Sequence, residues 1–177
     1  PKIYPRILKP PTQSFFLLGP RGSGKSMWLR KHFSQAHVFN LLDESLYQSL
    51  LRDIGSFANV LRTLPENSWV VIDEVQRIPE LLNEAHRFME ERGLRFVLCG
   101  SSARKLKRGH ANLLGGRAWR YEMFPLVSAE IGTVDLLRAL NHGLIPSHYL
   151  QEEYRKSLKA YVQDYLKEEV FAEGLTR

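Results

Sequence analysis

The sequence predicts an α/β fold, a mostly parallel sheet covered by helices on both faces. Three observations carry the prediction. Short apolar runs alternate with helix-compatible segments along most of the chain. The runs are continuously apolar, as strands buried on both faces are. The first run ends in a glycine-rich turn that opens a helix, the strand-to-helix step from which parallel sheets are built.

Taken in order, residues Pro1 to Pro11 hold four of the nine prolines and read as an extended arm. Ser14 to Leu18 is a short buried strand, and Ser26 to Phe33 is the helix that follows it. His37 to Leu42 is a second strand. Leu46, Leu50 and Leu51 fall at helical spacing, as do Val60, Leu61 and Leu64 ahead of Pro65. Trp69 to Ile72 is strongly β-forming and ends in two acids. From Glu80 to Arg92, residues Leu81, Leu82, Ala85, Phe88 and Met89 share one helical face, with Pro79 before the segment and Gly93 after it. Leu94 to Cys99 is another buried strand, and Trp119 to Phe124 a weaker one. Glu152 to Glu169 carries Tyr154, Leu158, Tyr161, Val162, Tyr165 and Leu166 on one stripe and predicts a long amphipathic helix. This reading divides the chain into an arm (1–13), a core (14–132) and a helical extension (133–177).

Composition narrows the classes. The chain has 177 residues, 44% of them hydrophobic and 25% charged, which excludes a disordered tail or a collagen-like repeat. Lys plus Arg is 25 against 19 for Asp plus Glu, a net charge of +6 that does not by itself make a nucleic-acid binder. The single cysteine, Cys99, excludes an internal disulfide and points to a reducing, cytoplasmic setting. The apolar runs are too short to cross a bilayer, and the N-terminus lacks the apolar core of a signal peptide. Of the six histidines, none shows zinc-like spacing.

Gly19-Pro20-Arg21-Gly22-Ser23-Gly24-Lys25-Ser26 fits G-x-x-x-x-G-K-[ST] without mismatch. Glycines let the backbone curl so that several N–H groups converge on one anion, and the following helix adds its positive end. Residues Gly19 through Met27 are therefore the candidate nucleotide contacts. Lys25 suits the β- and γ-phosphates and the Ser26 hydroxyl suits Mg²⁺. Trp69-Val70-Val71-Ile72-Asp73-Glu74 delivers two acids at the end of a buried strand, the edge at which α/β sheets bind ligands. Asp73 would sit near the metal, and Glu74 would reach a water lined up with the γ-phosphate as general base.

Two features further on leave alternatives open. The strand Leu94 to Cys99 ends in Gly100-Ser101-Ser102, where either hydroxyl is a candidate γ-phosphate sensor or a helix cap, with Ser101 favoured. From Leu94 to Tyr121 there is no acid, while Arg95, Arg104, Lys105, Lys107, Arg108, Arg117 and Arg120 are all basic. Arg117, after the flexible Leu114-Gly115-Gly116, reads as an arginine finger. Arg104 to Arg108 reads as a contact for nucleic acid or an acidic effector, or as a solvated basic face.

These residues resemble the prokaryotic AAA-type ATPases of the archaeal-ATPase-like group. The resemblance is carried by Ser14 to Arg21 running into Gly24-Lys25-Ser26. It continues in Val71-Ile72-Asp73-Glu74-Val75-Gln76 with Ile78-Pro79, then Gly100 to Leu106, Leu114 to Ala118, and Phe124-Pro125-Leu126 with Glu130-Ile131. It implies a three-layer P-loop NTPase fold of the additional-strand, AAA-like kind, with the phosphate-loop strand at the centre and a C-terminal helical extension. It implies ATP and Mg²⁺, held by Lys25, Ser26 and Asp73, with Glu74 activating water, Ser101 or Ser102 as sensor and Arg117 as a finger-like arginine. Members usually carry a further C-terminal domain, so the resemblance reads the end at Arg177 as a truncation.

The expected function is hydrolysis of Mg-ATP to ADP and phosphate, coupled to a conformational change or a partner. A homo-oligomer would complete the site if Arg117 acts on a neighbour. The rivals are a phosphotransferase acting on a small molecule, a nucleotide-dependent binding switch, and a DNA-binding module. The arm at Arg6 and Ile7 is the candidate adenine contact, by its position before the first strand.

Overall fold

Five of the apolar runs form strands: β1 (Phe15–Leu18), β2 (His37–Asn40), β3 (Trp69–Asp73), β4 (Arg95–Gly100) and β5 (Trp119–Glu122). The computed structural model describes residues 3–101, 114–163 and 165. All five strands are parallel, in the order β2-β3-β4-β1-β5. Strand β1 is thus interior, one place from the middle that β4 occupies. The helices of the core are α1 (Lys25–His32), α2 (Glu44–Arg52), α3 (Gly55–Thr63) and α4 (Leu81–Arg92). The described residues divide into two units. One comprises residues 10–18, 26–101 and 114–122, and the other comprises residues 3–9, 19–25, 123–163 and 165.

In the first unit the period-2 alternation of the strands sorts side chains to two faces. Phe16, Leu18, Val70, Ile72, Phe96 and Leu98 form one cluster with Leu50 of α2, Phe57 and Leu61 of α3, and Leu81, Ala85 and Phe88 of α4. On the other face the Phe15 ring lies 5.7–6.3 Å from those of Trp28, Phe33, Trp69 and Tyr121. Helices on both faces make the three predicted layers. Local chemistry sets the ends. Asp43 accepts from the backbone N–H groups of Ser45 and Leu46 and starts α2. Gly93, at φ 62°, ends α4 in the left-handed conformation. Strand β2 stops at Asn40, whose side chain accepts from Leu42 N–H, so Leu42 is exposed instead of continuing the strand. Strand β5 stops at Glu122. Phe124 lies beyond it and is exposed.

The second unit contains α5 (Ser128–Ile131), α6 (Leu136–His142), α7 (Pro146–Tyr149) and α8 (Tyr154–Ala160). Of the long helix expected over Glu152 to Glu169, α8 and the π-type residues 161–163 and 165 after it are described, and 166–169 lie outside the described residues. Tyr154, Leu158, Tyr161 and Tyr165 of the predicted stripe are half-buried, Val162 is 52% exposed, and Leu166 lies outside the described residues. No helix among the described residues is long and apolar enough to cross a membrane.

His148 of α7 is buried, with neither ring nitrogen hydrogen-bonded among the described residues. Its ring packs edge-on to Tyr161 at 5.0 Å. Burial holds its pKa below the usual imidazole range, so the fold favours the neutral ring. The unfolded chain then binds the proton more readily, and stability is lost as pH falls through the unfolded value of about 6.5. We expect urea melts at pH 5 and 7.5 to differ less in His148→Phe than in the native chain.

Candidate phosphate-binding site

The loop Gly19 to Gly24 joins β1 to α1, and the motif residues divide between the two units. Gly24 has φ 93°, a conformation costly for any residue with a Cβ. Ser23 N–H donates to Pro20 O at 3.3 Å and closes the turn. Lys25 is 7% exposed, and its ammonium donates to Gly19 O at 2.6 Å and Pro20 O at 2.9 Å. The buried Ser23 hydroxyl has no hydrogen-bond partner among the described residues, a donor left unmet inside the loop. The Arg21 guanidinium lies 5.8 Å from the centre of the Tyr165 ring. Met27, the last of the predicted contacts, is half-exposed in the first turn of α1.

The same unit holds a pair that the sequence reading missed. Arg6 Nε donates to Glu130 Oε1 at 2.8 Å, with the Glu130 side chain buried and that of Arg6 largely so. Another guanidinium nitrogen of Arg6 donates to Ser23 O at 2.6 Å, and the third reaches Phe124 O at 2.5 Å. Glu130 also accepts from Ile7 N–H at 3.0 Å and Val127 N–H at 3.2 Å. The arm, the phosphate loop and the segment after β5 are therefore tied together by one ion pair. Arg6, the candidate adenine contact, is committed to these partners, and Ile7 is exposed.

In the sheet unit, the parallel arrangement brings the carboxyl ends of β1, β4 and β3 to one edge, with β4 between the other two. Ser26 Oγ donates to Asp73 Oδ2 at 3.1 Å. Asp73 Oδ1 accepts from Glu74 N–H at 3.1 Å. Glu74 adopts φ 60° and ψ 42°, the left-handed region that a glutamate seldom enters and that costs of order 1 kcal/mol or more. A 3-10 turn over Val75–Arg77 follows, with Val75 fully buried beneath it. The turn carries Gln76, whose amide donates to Glu74 Oε2 and lies 3.4 Å from Ser101 Oγ. Ser101 thus joins the acids, while Ser102 and Arg104 to Arg108 lie outside the described residues.

Arg117 is not brought there. It precedes β5, whose first residue, Trp119, donates its N–H to Ser14 O ahead of β1. That is the amino edge of the sheet, so strands roughly 15 Å long separate it from Asp73. Its guanidinium pairs with Glu90 in the last turn of α4, an exposed pair worth little.

A strand, glycine loop and helix, with an acid ending a parallel strand two places away and another strand between them, define a P-loop nucleoside triphosphatase fold of the additional-strand kind. The chain belongs to the AAA domain family, whose model matches residues 11–132. Among solved structures it is similar to the Walker-type ATPase PABY2304 of Pyrococcus abyssi, with TM-score 0.52 and 16% identity over 90% of this chain and 69% of that one. At that identity the likeness concerns the fold alone. It also matches the Pif1 helicase from Candida albicans at TM-score 0.38 and 17% identity, over 78% of this chain and 42% of that one, too loose a likeness to support an argument. No curated protein matches the chain.

Proposed function

We propose that the chain binds Mg-ATP and hydrolyses it to ADP and phosphate. The observation that carries this is the Ser26–Asp73 contact, which sets a hydroxyl and a carboxylate 3.1 Å apart one residue beyond Lys25. Neighbouring oxygen ligands of an octahedral Mg²⁺ lie about 3.0 Å apart, so the spacing of this pair fits that ion, which Ser26 and Asp73 would hold. Bound there, Mg²⁺ supplies positive charge to the β- and γ-phosphate oxygens. Lys25 exchanges the Gly19 and Pro20 carbonyls for phosphate oxygens, and the unmet Ser23 hydroxyl supports an anion in the same loop. Glu74 accepts a proton from the attacking water, the water oxygen bonds to the γ-phosphorus, and the bond to the bridging oxygen of ADP breaks.

Glu74→Gln is expected to bind Mg-ATP within about threefold of the native chain and to lose about 10²–10⁴ in hydrolysis rate. Calorimetry and a phosphate-release assay check the two parts, and a native rate in the variant removes Glu74 as base.

The position of Arg117 supports a second element. A phosphate it reaches belongs to a neighbouring copy, so specific activity should rise with protein concentration and fall in Arg117→Ala. Free phosphate released without any acceptor speaks against a phosphotransferase, and tight ATP binding without release favours a binding switch. Nucleic acid engaged through Arg104 to Arg117 would show steep salt dependence.

A further inference from the structure

We propose that Gln76 is a positioning residue, which holds Glu74 by its carboxylate and couples it to Ser101. The proposal rests on the hydrolysis reading above. A primary amide has two N–H donors on one nitrogen. In Gln76 that nitrogen donates to Glu74 Oε2 and lies within 3.4 Å of Ser101 Oγ, so one planar group spans the end of β3 and the end of β4. This fixes one carboxylate oxygen and leaves Oε1 of Glu74 to accept from a water. Without such a tether, an acid on a left-handed turn has several rotamers, and only a fraction of the population would face the substrate.

The surroundings are arranged for that donor. Gln76 Oε1 is buried and has no hydrogen-bond partner among the described residues, an arrangement that costs free energy. Reversing the amide would set this oxygen against the Glu74 carboxylate, so the unmet acceptor accompanies a donor aimed at the acid. Gly100 leaves room for it: a Cβ there would lie 2.4 Å from Gln76 Oε1, so a larger residue would displace the end of this side chain. Ser101 follows directly, at the end of the strand that separates β3 from β1. A third phosphate that engages the Ser101 hydroxyl therefore acts through a single amide on the group that activates water.

The test uses the full chain at high protein concentration and saturating Mg-ATP. Gln76→Met keeps the volume and removes both donors. It should lower kcat at least about tenfold while KM for ATP stays within about twofold, the pattern of an interaction that serves the chemical step and not binding. Gly100→Ala should do the same by displacing the amide, and Gln76→Met/Gly100→Ala should be no slower than Gln76→Met alone, because both act through one group. In the nucleotide-free native chain, the Gln76 side-chain amide protons should be protected from solvent exchange by NMR and lose that protection in Glu74→Ala. Native kcat in Gln76→Met, a loss confined to KM, additive effects of the two variants, or an unprotected amide each overturns the proposal. Loss confined to Glu74→Gln, with Gln76→Met at the native rate, overturns this role alone. A native rate in Glu74→Gln overturns the hydrolysis reading beneath it.

Discussion

Lys25→Ala should abolish measurable binding of Mg-ATP. In the proposed complex the ammonium makes two charge-assisted hydrogen bonds to phosphate, each worth about 1.5–3 kcal/mol. Their loss weakens affinity by roughly 10²–10⁴, at tenfold per 1.4 kcal/mol. The nucleotide-free loop loses something as well, because the same ammonium ties Gly19 O and Pro20 O across the turn. Lys25→Arg should restore little, since a planar fork does not fit a pocket that encloses a 7%-exposed ammonium. Calorimetry with ATP and Mg²⁺ decides the matter. Native affinity in Lys25→Ala would mean that the loop does not hold the phosphates. A folded chain that melts somewhat below the native one and shows no heat of binding with ATP is the expected result.

Much of this frame is legible in the sequence because its signals are local. The run Phe15–Leu18 followed by glycines announces a strand entering a phosphate loop, and four apolar residues before Asp73 place that acid at the end of a buried strand. Helix α4 is marked by Pro79 and Gly93, and of its predicted inner face Leu81, Leu82, Ala85 and Phe88 are buried and Met89 partly so. What the sequence hides is long-range or conformational. Arg6 and Glu130 stand 124 residues apart, and no spacing rule joins them. The importance of Gln76 depends on Glu74 turning into the left-handed region, which propensity argues against. The edge occupied by Arg117 was within reach, because residues just ahead of a parallel strand lie at the amino edge, away from ligands bound at the carboxyl edge. The extent of the helix expected over Glu152 to Glu169 is followed only through 163 and 165, the residues beyond lying outside those described. Apolar periodicity shows which residues could share a face and not how far the backbone stays regular, and the π-type turn at 161–163 and 165 leaves Val162 exposed.

Removing the buried carboxylate of Glu130 should strongly destabilise the protein. Its side chain is 2% exposed and that of Arg6 10%, so Glu130→Ala leaves a guanidinium buried without its counter-ion. Breaking such a pair from one side costs about 3–5 kcal/mol, a large share of the stability of a domain this size. The Ile7 and Val127 N–H groups lose their acceptor in the same step. Replacing both partners with apolar residues of similar size, as in Arg6→Met/Glu130→Leu, should recover most of the loss, because neither charge is then stranded. The double variant should still bind Mg-ATP more weakly than the native chain, since Arg6 also holds Ser23 O in the phosphate loop. Stability and ligand affinity thus separate: urea melts report the buried charge, and calorimetry reports the loop. If Glu130→Ala melts within about 0.5 kcal/mol of the native chain, the range of an ordinary surface substitution, the pair is not the fastening between arm, loop and the segment after β5 that its geometry indicates.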